Sequence, residues 1–182
     1  MKLIGLDPGL RATGWGIIDV KGNHLTYIAD GTVLVPAQQS LAQRLSVLFK
    51  GLSSVIENYR PDEAAVEETF VNKNPMTTLK LGQARGVVLL APAMAGIPVG
   101  EYSANIIKKS VVGTGHATKD QIKMMVRTIL PNALLDSADA ADALAIAVCH
   151  AHHRRSRDLW KESTNSVGTA KGVQDKVLGN DS

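Results

Sequence analysis

A single cysteine, Cys149, rules out an intramolecular disulfide framework and fits a reducing compartment. It lies in an apolar helical pattern, so the expectation is a packed thiol and not a nucleophile. No apolar run reaches the roughly 18–20 residues of a membrane span. The N-terminus enters a strand directly and lacks a signal-peptide pattern, which argues against export. These absences predict a cytoplasmic protein with no membrane partner. No internal repeat is found, which excludes a solenoid or repeat array. Aromatics are only 4% of the chain, so Phe70, in the polar loop Phe70–Pro75, stands out. Charge of neither sign dominates: the net +3 permits a nucleic-acid partner without demanding one. At 182 residues the chain suits one domain with a sizeable core.

What is present is organised around Lys2-Leu3-Ile4-Gly5-Leu6-Asp7-Pro8-Gly9. Leu3, Ile4 and Leu6 suit a buried strand, and Pro8-Gly9 forces a sharp turn. Asp7 therefore sits where a central strand opens onto a cleft. A charge there is costly to keep dry, so it calls for a metal, a cation or water.

Thr13 to Val20 reads as a second strand, and Leu25–Ala29 with Gly31–Val35 as a third, joined through the Lys21-Gly22-Asn23 turn. Short turns make these three an antiparallel meander. Gly14 and Gly16 suit either close approach to a ligand or a twisted edge. Leucines at three- and four-residue steps predict a helix over Ser40–Tyr59, stopped by Pro61. Glu63–Glu68 is a short strand whose end brings a second acid, Glu67 or Glu68. Thr77–Ala95 reads as a helix apolar over much of its surface, either central or at a subunit interface, with Gly82, Ala84 and Gly86 allowing close approach. Ile97–Glu101 is a short strand, placed near an edge by Pro98. Ser103–Val112 is a helix carrying Lys108 and Lys109. Thr118 and Gln121 suit a capping box for a helix ending near Leu130. A last helix runs from about Ser137 to His153. The predicted domain is 1–157, followed by a disordered tail over 158–182, where charge and Gly/Ser replace periodicity.

Asp139 and Asp142 share a face of the last helix, one turn apart, among alanines that leave room for close approach. Taken alone, that helix equally admits a first-turn acid plus a solvent-facing one. If it packs beside the strand ends, four carboxylates converge. Their mutual repulsion then calls for divalent cations, and all-oxygen donors favour Mg²⁺ or Mn²⁺ over zinc. Two such ions about 3.5–4 Å apart suit phosphodiester hydrolysis.

The order of elements is that of the ribonuclease H-like fold: α/β, with a mixed five-stranded sheet flanked by helices. Within it the chain resembles the RuvC family of Holliday-junction resolvases. The matching stretches are Gly5–Gly9 with Thr13–Gly16, Ala65-Val66-Glu67, Leu79–Gly86, Lys108 with Val111-Val112-Gly113, Lys119, Met125-Val126-Arg127 and Ala138–Ala145. They span roughly 3–150. The resemblance implies a homodimer that nicks a four-way DNA junction symmetrically, leaving 5′-phosphate ends, during recombination and repair. It carries the catalytic and metal-binding acids to Asp7, Glu67, Asp139 and Asp142, with two Mg²⁺ per subunit and Mn²⁺ as a substitute. It places Phe70, Lys108 and Lys119 against DNA, the aromatic stacking on a base. Lys73, Lys80 and Arg85 are weaker phosphate candidates. Further implications are the RuvA–RuvB branch-migration complex as a partner and association with the nucleoid. His116 is expected to be an exposed loop residue, and His150, His152 and His153 to mark the basic, frayed end of the last helix.

Three rivals remain. An actin- or hexokinase-like ATPase shares the Asp-x-Gly turn, but needs a duplicated domain, a second phosphate loop and an adenosine motif not found here. A catalytically silent junction-binding module is disfavoured by four intact acids. A ribonuclease H-fold nuclease acting on other DNA or RNA structures differs only in geometry that the carboxylates do not specify.

Overall fold

The computed structural model describes residues 1–68, 74–135 and 137–154. The strands are β1 (Lys2–Asp7), β2 (Ala12–Lys21), β3 (His24–Leu34), β4 (Glu63–Glu67) and β5 (Val99–Tyr102). The helices are α1 (Leu41–Tyr59), α2 (Pro75–Met94), α3 (Ala104–Val112), α4 (Lys119–Ile129) and α5 (138–154). Residues Met1–His150 form one compact unit, and 151–182 are grouped apart from it. The predicted tail over 158–182 lies outside the described residues.

Strand order is β3-β2-β1-β4-β5, which puts β1 in the middle. β1, β2 and β3 form the expected antiparallel meander, while β4 and β5 run parallel to β1. The sheet is therefore mixed and five-stranded, and β5 is an edge as Pro98 foretold. The capping boxes form at both helix starts where Ser/Thr meets Gln three residues later: Ser40 with Gln43 on α1, and Thr118 with Gln121 on α4.

Alternation divides the sheet into two unlike faces. Ile4, Leu6, Ile17, Ala64 and Val66 point toward α1 and α2, where they pack with Leu48, Leu52, Ile56, Ala84 and Val88. Each fully buried Leu or Ile of that core contributes about 1.5–3 kcal/mol. α2 is one-sided: Met76, Leu79, Leu90 and Met94 face outward. Gly82 and Gly86 do not serve close approach within the chain, because a Cβ at either would meet nothing within 4 Å.

The other face carries Gly5, Gly14 and Gly16 and receives α5. A Cβ on Gly5 would strike the carbonyl of Ala143, one on Gly14 the carbonyl of Asp139, and one on Gly16 the side chain of Leu144. Absent side chains on the sheet and alanines on the helix let the two backbones touch. The strand glycines thus serve helix packing, neither a ligand nor a twisted edge. Gly100 continues the pattern on β5, where a Cβ would come within 3.0 Å of the His150 ring.

Candidate active site

Asp7 is the last residue of the central strand, and its successors are locked in place. Thr13, fully buried on β2, donates its hydroxyl to the Gly9 carbonyl at 2.7 Å and accepts from the Gly9 amide at 3.2 Å. The Pro8-Gly9 turn is pinned from both sides. The start of α5 is fixed as firmly: Ser137 Oγ accepts from the Ala140 amide at 3.0 Å, acting as N-cap, and meets Thr32 Oγ1 of β3 at 3.0 Å. Asp139 and Asp142 consequently stand in the first turns of a helix anchored to the sheet beside Asp7.

Register assigns the acid of β4. Ala65 pairs with Gly5 and Val66 with Leu6, so Glu67 follows Ala65 onto the α5 face. Glu68 lies beyond the strand and is exposed.

A cleft of about 260 Å³ is lined by Asp7, Glu67 and Asp142, by Lys108 of α3 and Lys119 of α4, and by the apolar Ile107, Ile122, Ala104 and Ala145. Burial, followed by the charges of Glu67, Asp142 and Asp139, pushes the Asp7 carboxyl up to about 7. Glu67 is raised in the same way, chiefly by burial and then by Asp142, with Lys119 and Lys108 opposing. Asp7 thus lies in the field of the other three acids; Glu67 and Asp142 line the cleft with it, while Asp139 borders the neighbouring groove.

Lys119 crosses the cleft mouth, its Nζ donating to Asp142 Oδ2 at 3.0 Å. That bond, and then the charges of Asp142, Asp7 and Asp139, hold its ammonium above the usual lysine range. Among the described residues no three His, Cys, Asp or Glu side chains stand close enough to cage an ion as they are. The donor set nonetheless fits a hard divalent cation: all oxygen, mutually repelling, and centred on a half-buried carboxyl that a cation would allow to ionise.

Other predicted residues fall elsewhere. Phe70 and Lys73 lie outside the described residues. His116 is exposed in its loop. Arg85 is no free phosphate contact: it pairs with Glu101 of β5 and reaches the Glu67 carbonyl at 3.5 Å. His150 does not mark a frayed end. It is buried, with Nδ1 2.8 Å from the Tyr102 hydroxyl and Nε2 2.9 Å from Glu63 Oε2. Cys149 is the packed thiol expected, and burial pushes it up to about 11. Arg11 and Arg44 carry no motif, yet both line a second groove that borders Asp139.

The model of the RuvC family, crossover junction endodeoxyribonuclease RuvC, matches residues 3–150. The chain belongs to the RuvC family. It is 63% identical over 154 residues to crossover junction endodeoxyribonuclease RuvC of Paramagnetospirillum magneticum, covering 85% of this chain and 93% of that one. The RuvC of Rhodospirillum rubrum is 62% identical, with 85% and 91% covered. Thermus thermophilus RuvC, solved in complex with a Holliday junction substrate, superposes with a TM-score of 0.80 at 34% identity, covering 86% of this chain and 96% of that one. A yeast mitochondrial Holliday junction resolvase reaches 0.67 at 10% identity, covering 91% and 85%, a likeness of fold alone. RuvC proteins are endonucleases, and the ribonuclease H-like architecture expected from the order of elements is the one found here.

Proposed function

We propose that this RuvC-family chain resolves four-way (Holliday) DNA junctions by symmetric paired nicks, serving recombination and repair. The observation that carries the reading is Asp7, ending the central strand within the field of Glu67, Asp139 and Asp142, with Lys108 and Lys119 on the same cleft. Those four acids would hold two Mg²⁺ ions, for which Mn²⁺ is a substitute. When bound, the ions supply water activation and charge neutralisation at the phosphodiester, leaving a 5′-phosphate. Lys108 and Lys119 present ammonium groups to the DNA backbone beside the acids. The part given to Phe70, stacking on an unpaired base, rests on the family resemblance.

Two cuts related by symmetry call for two active sites, hence a homodimer. The outward face of α2, with Met76, Leu79, Leu90 and Met94, is the apolar surface offered to the second copy. Sedimentation as a monomer at micromolar concentration would refute it. Partnership with the RuvA–RuvB complex, and action at the nucleoid in the cytoplasm, follow from the family alone. No helix among the described residues is long and apolar enough to cross a membrane. The nuclease domain is taken as 1–157, consistent with the family match over 3–150.

The test is cleavage of a labelled mobile four-way junction and a matched linear duplex, each with Mg²⁺ and with EDTA. Paired, Mg²⁺-dependent nicks confined to the junction are expected. Equal cutting of both substrates would leave a nuclease without junction selectivity. Binding without cutting, in Mg²⁺ or Mn²⁺, would indicate the silent module.

A further inference from the structure

Asp139 borders a second groove, of about 500 Å³, whose lining shares no residue with the acid cleft and whose charge is the reverse of the cleft's. Its floor is the Gly9–Ala12 turn directly after Asp7, and its walls are Arg44 of α1 and Thr77, Lys80 and Leu81 of α2. Arg11, Arg44 and Lys80 contribute three cations against one acid, Asp139. Arg44 is held in place: its Nη2 donates to the Leu10 carbonyl at 2.9 Å. Its Nε is buried and has no hydrogen-bond partner among the described residues. Neither α1 nor α2 carries an acid in its first turn, so the positive end of each helix dipole is left uncancelled near the groove.

We propose that this groove is a second phosphate subsite, holding a backbone phosphate of the strand being cut while Lys108 and Lys119 serve the other side of the acids. The inference rests on the nuclease reading above. A strand laid over four carboxylates is repelled there. Cations on both sides offset that repulsion and define the path of the backbone. Arginine suits the role because its planar fork matches phosphate oxygens while one edge stays tied to protein. Arg11 and Lys80 are exposed and can adjust to the strand, whereas Arg44 is a wall fixed to the turn.

The experiment uses the full chain and four-way junctions carrying one methylphosphonate, a neutral phosphate, at successive positions around the cut. In the native protein, neutralising one or two positions on one side of the cut should weaken binding roughly tenfold, the size of a charge-assisted contact. The Arg11→Ala/Lys80→Ala variant should bind the unmodified junction correspondingly less well and lose sensitivity to those same positions. Lys50→Ala, which removes an exposed charge outside the groove, should keep the native pattern. If the double variant responds to every methylphosphonate as the native protein does, or if Lys50→Ala reproduces its loss, the subsite is refuted while the nuclease reading stands. A native protein that neither binds nor cuts unmodified junctions would bring down both.

Discussion

Lys119 Nζ lies 3.0 Å from Asp142 Oδ2, tying α4 to α5 across the mouth of the acid cleft. The lysine side chain is 79% exposed and the aspartate 22%, so the pair adds little to stability, under about 1 kcal/mol. Its weight is electrostatic: one ammonium answers a cluster of four carboxylates.

Lys119→Ala should therefore leave the melting temperature nearly unchanged and weaken junction binding. The log–log salt slope should fall by about 0.9 for one lost phosphate contact. An unaltered slope with a large drop in melting temperature would make the residue structural.

Asp7→Asn should abolish cleavage and keep junction binding, because it removes a charged donor and preserves shape. It should also stabilise the metal-free protein at neutral pH, by on the order of 1–3 kcal/mol, since a half-buried, repelled carboxylate is removed. Chemical denaturation in EDTA reads the second effect, and a less stable variant would contradict the electrostatic account.

The same carboxyl sets a pH trend. Its folded value, about 7, lies above the ordinary 3.8, so the native state keeps a proton that the unfolded chain has released. Its contribution is fully present below about pH 4 and is lost as pH rises through 7. Glu67 is shifted in the same sense. Melting in EDTA between pH 5 and 8 should show native stability falling more steeply than that of Asp7→Asn. Parallel profiles would dissociate the trend from Asp7.

Gly14→Ala should damage catalysis without touching an acid. The added methyl meets the Asp139 carbonyl, so the first turn of α5 must shift. A cost of about 1–3 kcal/mol is expected, the usual range for overpacking, together with a large loss of cleavage. Full activity with native stability would show that the helix has slack.

His150→Phe removes the bonds to Tyr102 and Glu63 and should cost about 1–3 kcal/mol. Cleavage per folded molecule should persist, since the ring lies two turns past Asp142. Urea titration alongside a junction assay separates the two.

Much of this was legible in the chain because it is local. Asp7 follows an apolar run and precedes Pro-Gly, and Asp139 and Asp142 are one helical turn apart. The glycines at 5, 14 and 16 and the alanines of α5 were visible too, but their meaning was not. The strands and the helix are more than 120 residues apart, and only docking shows that the small residues face each other. His150 bonds to groups 87 and 48 positions away, so local periodicity leaves it looking like a helix end. Arg85 looked available until β5 supplied Glu101. Arg11, Arg44 and Lys80 belong to three different elements, and no spacing rule joins them.

The order of strands and helices also governs when the protein becomes capable of harm. Asp7 and Glu67 are translated early, but the helix carrying the other two acids comes after the whole sheet. A nascent chain stalled anywhere before residue 138 can build strands and has only half the site. If cleavage needs all four acids, activity would wait for that helix, and α5 would act as a safety catch that translation releases.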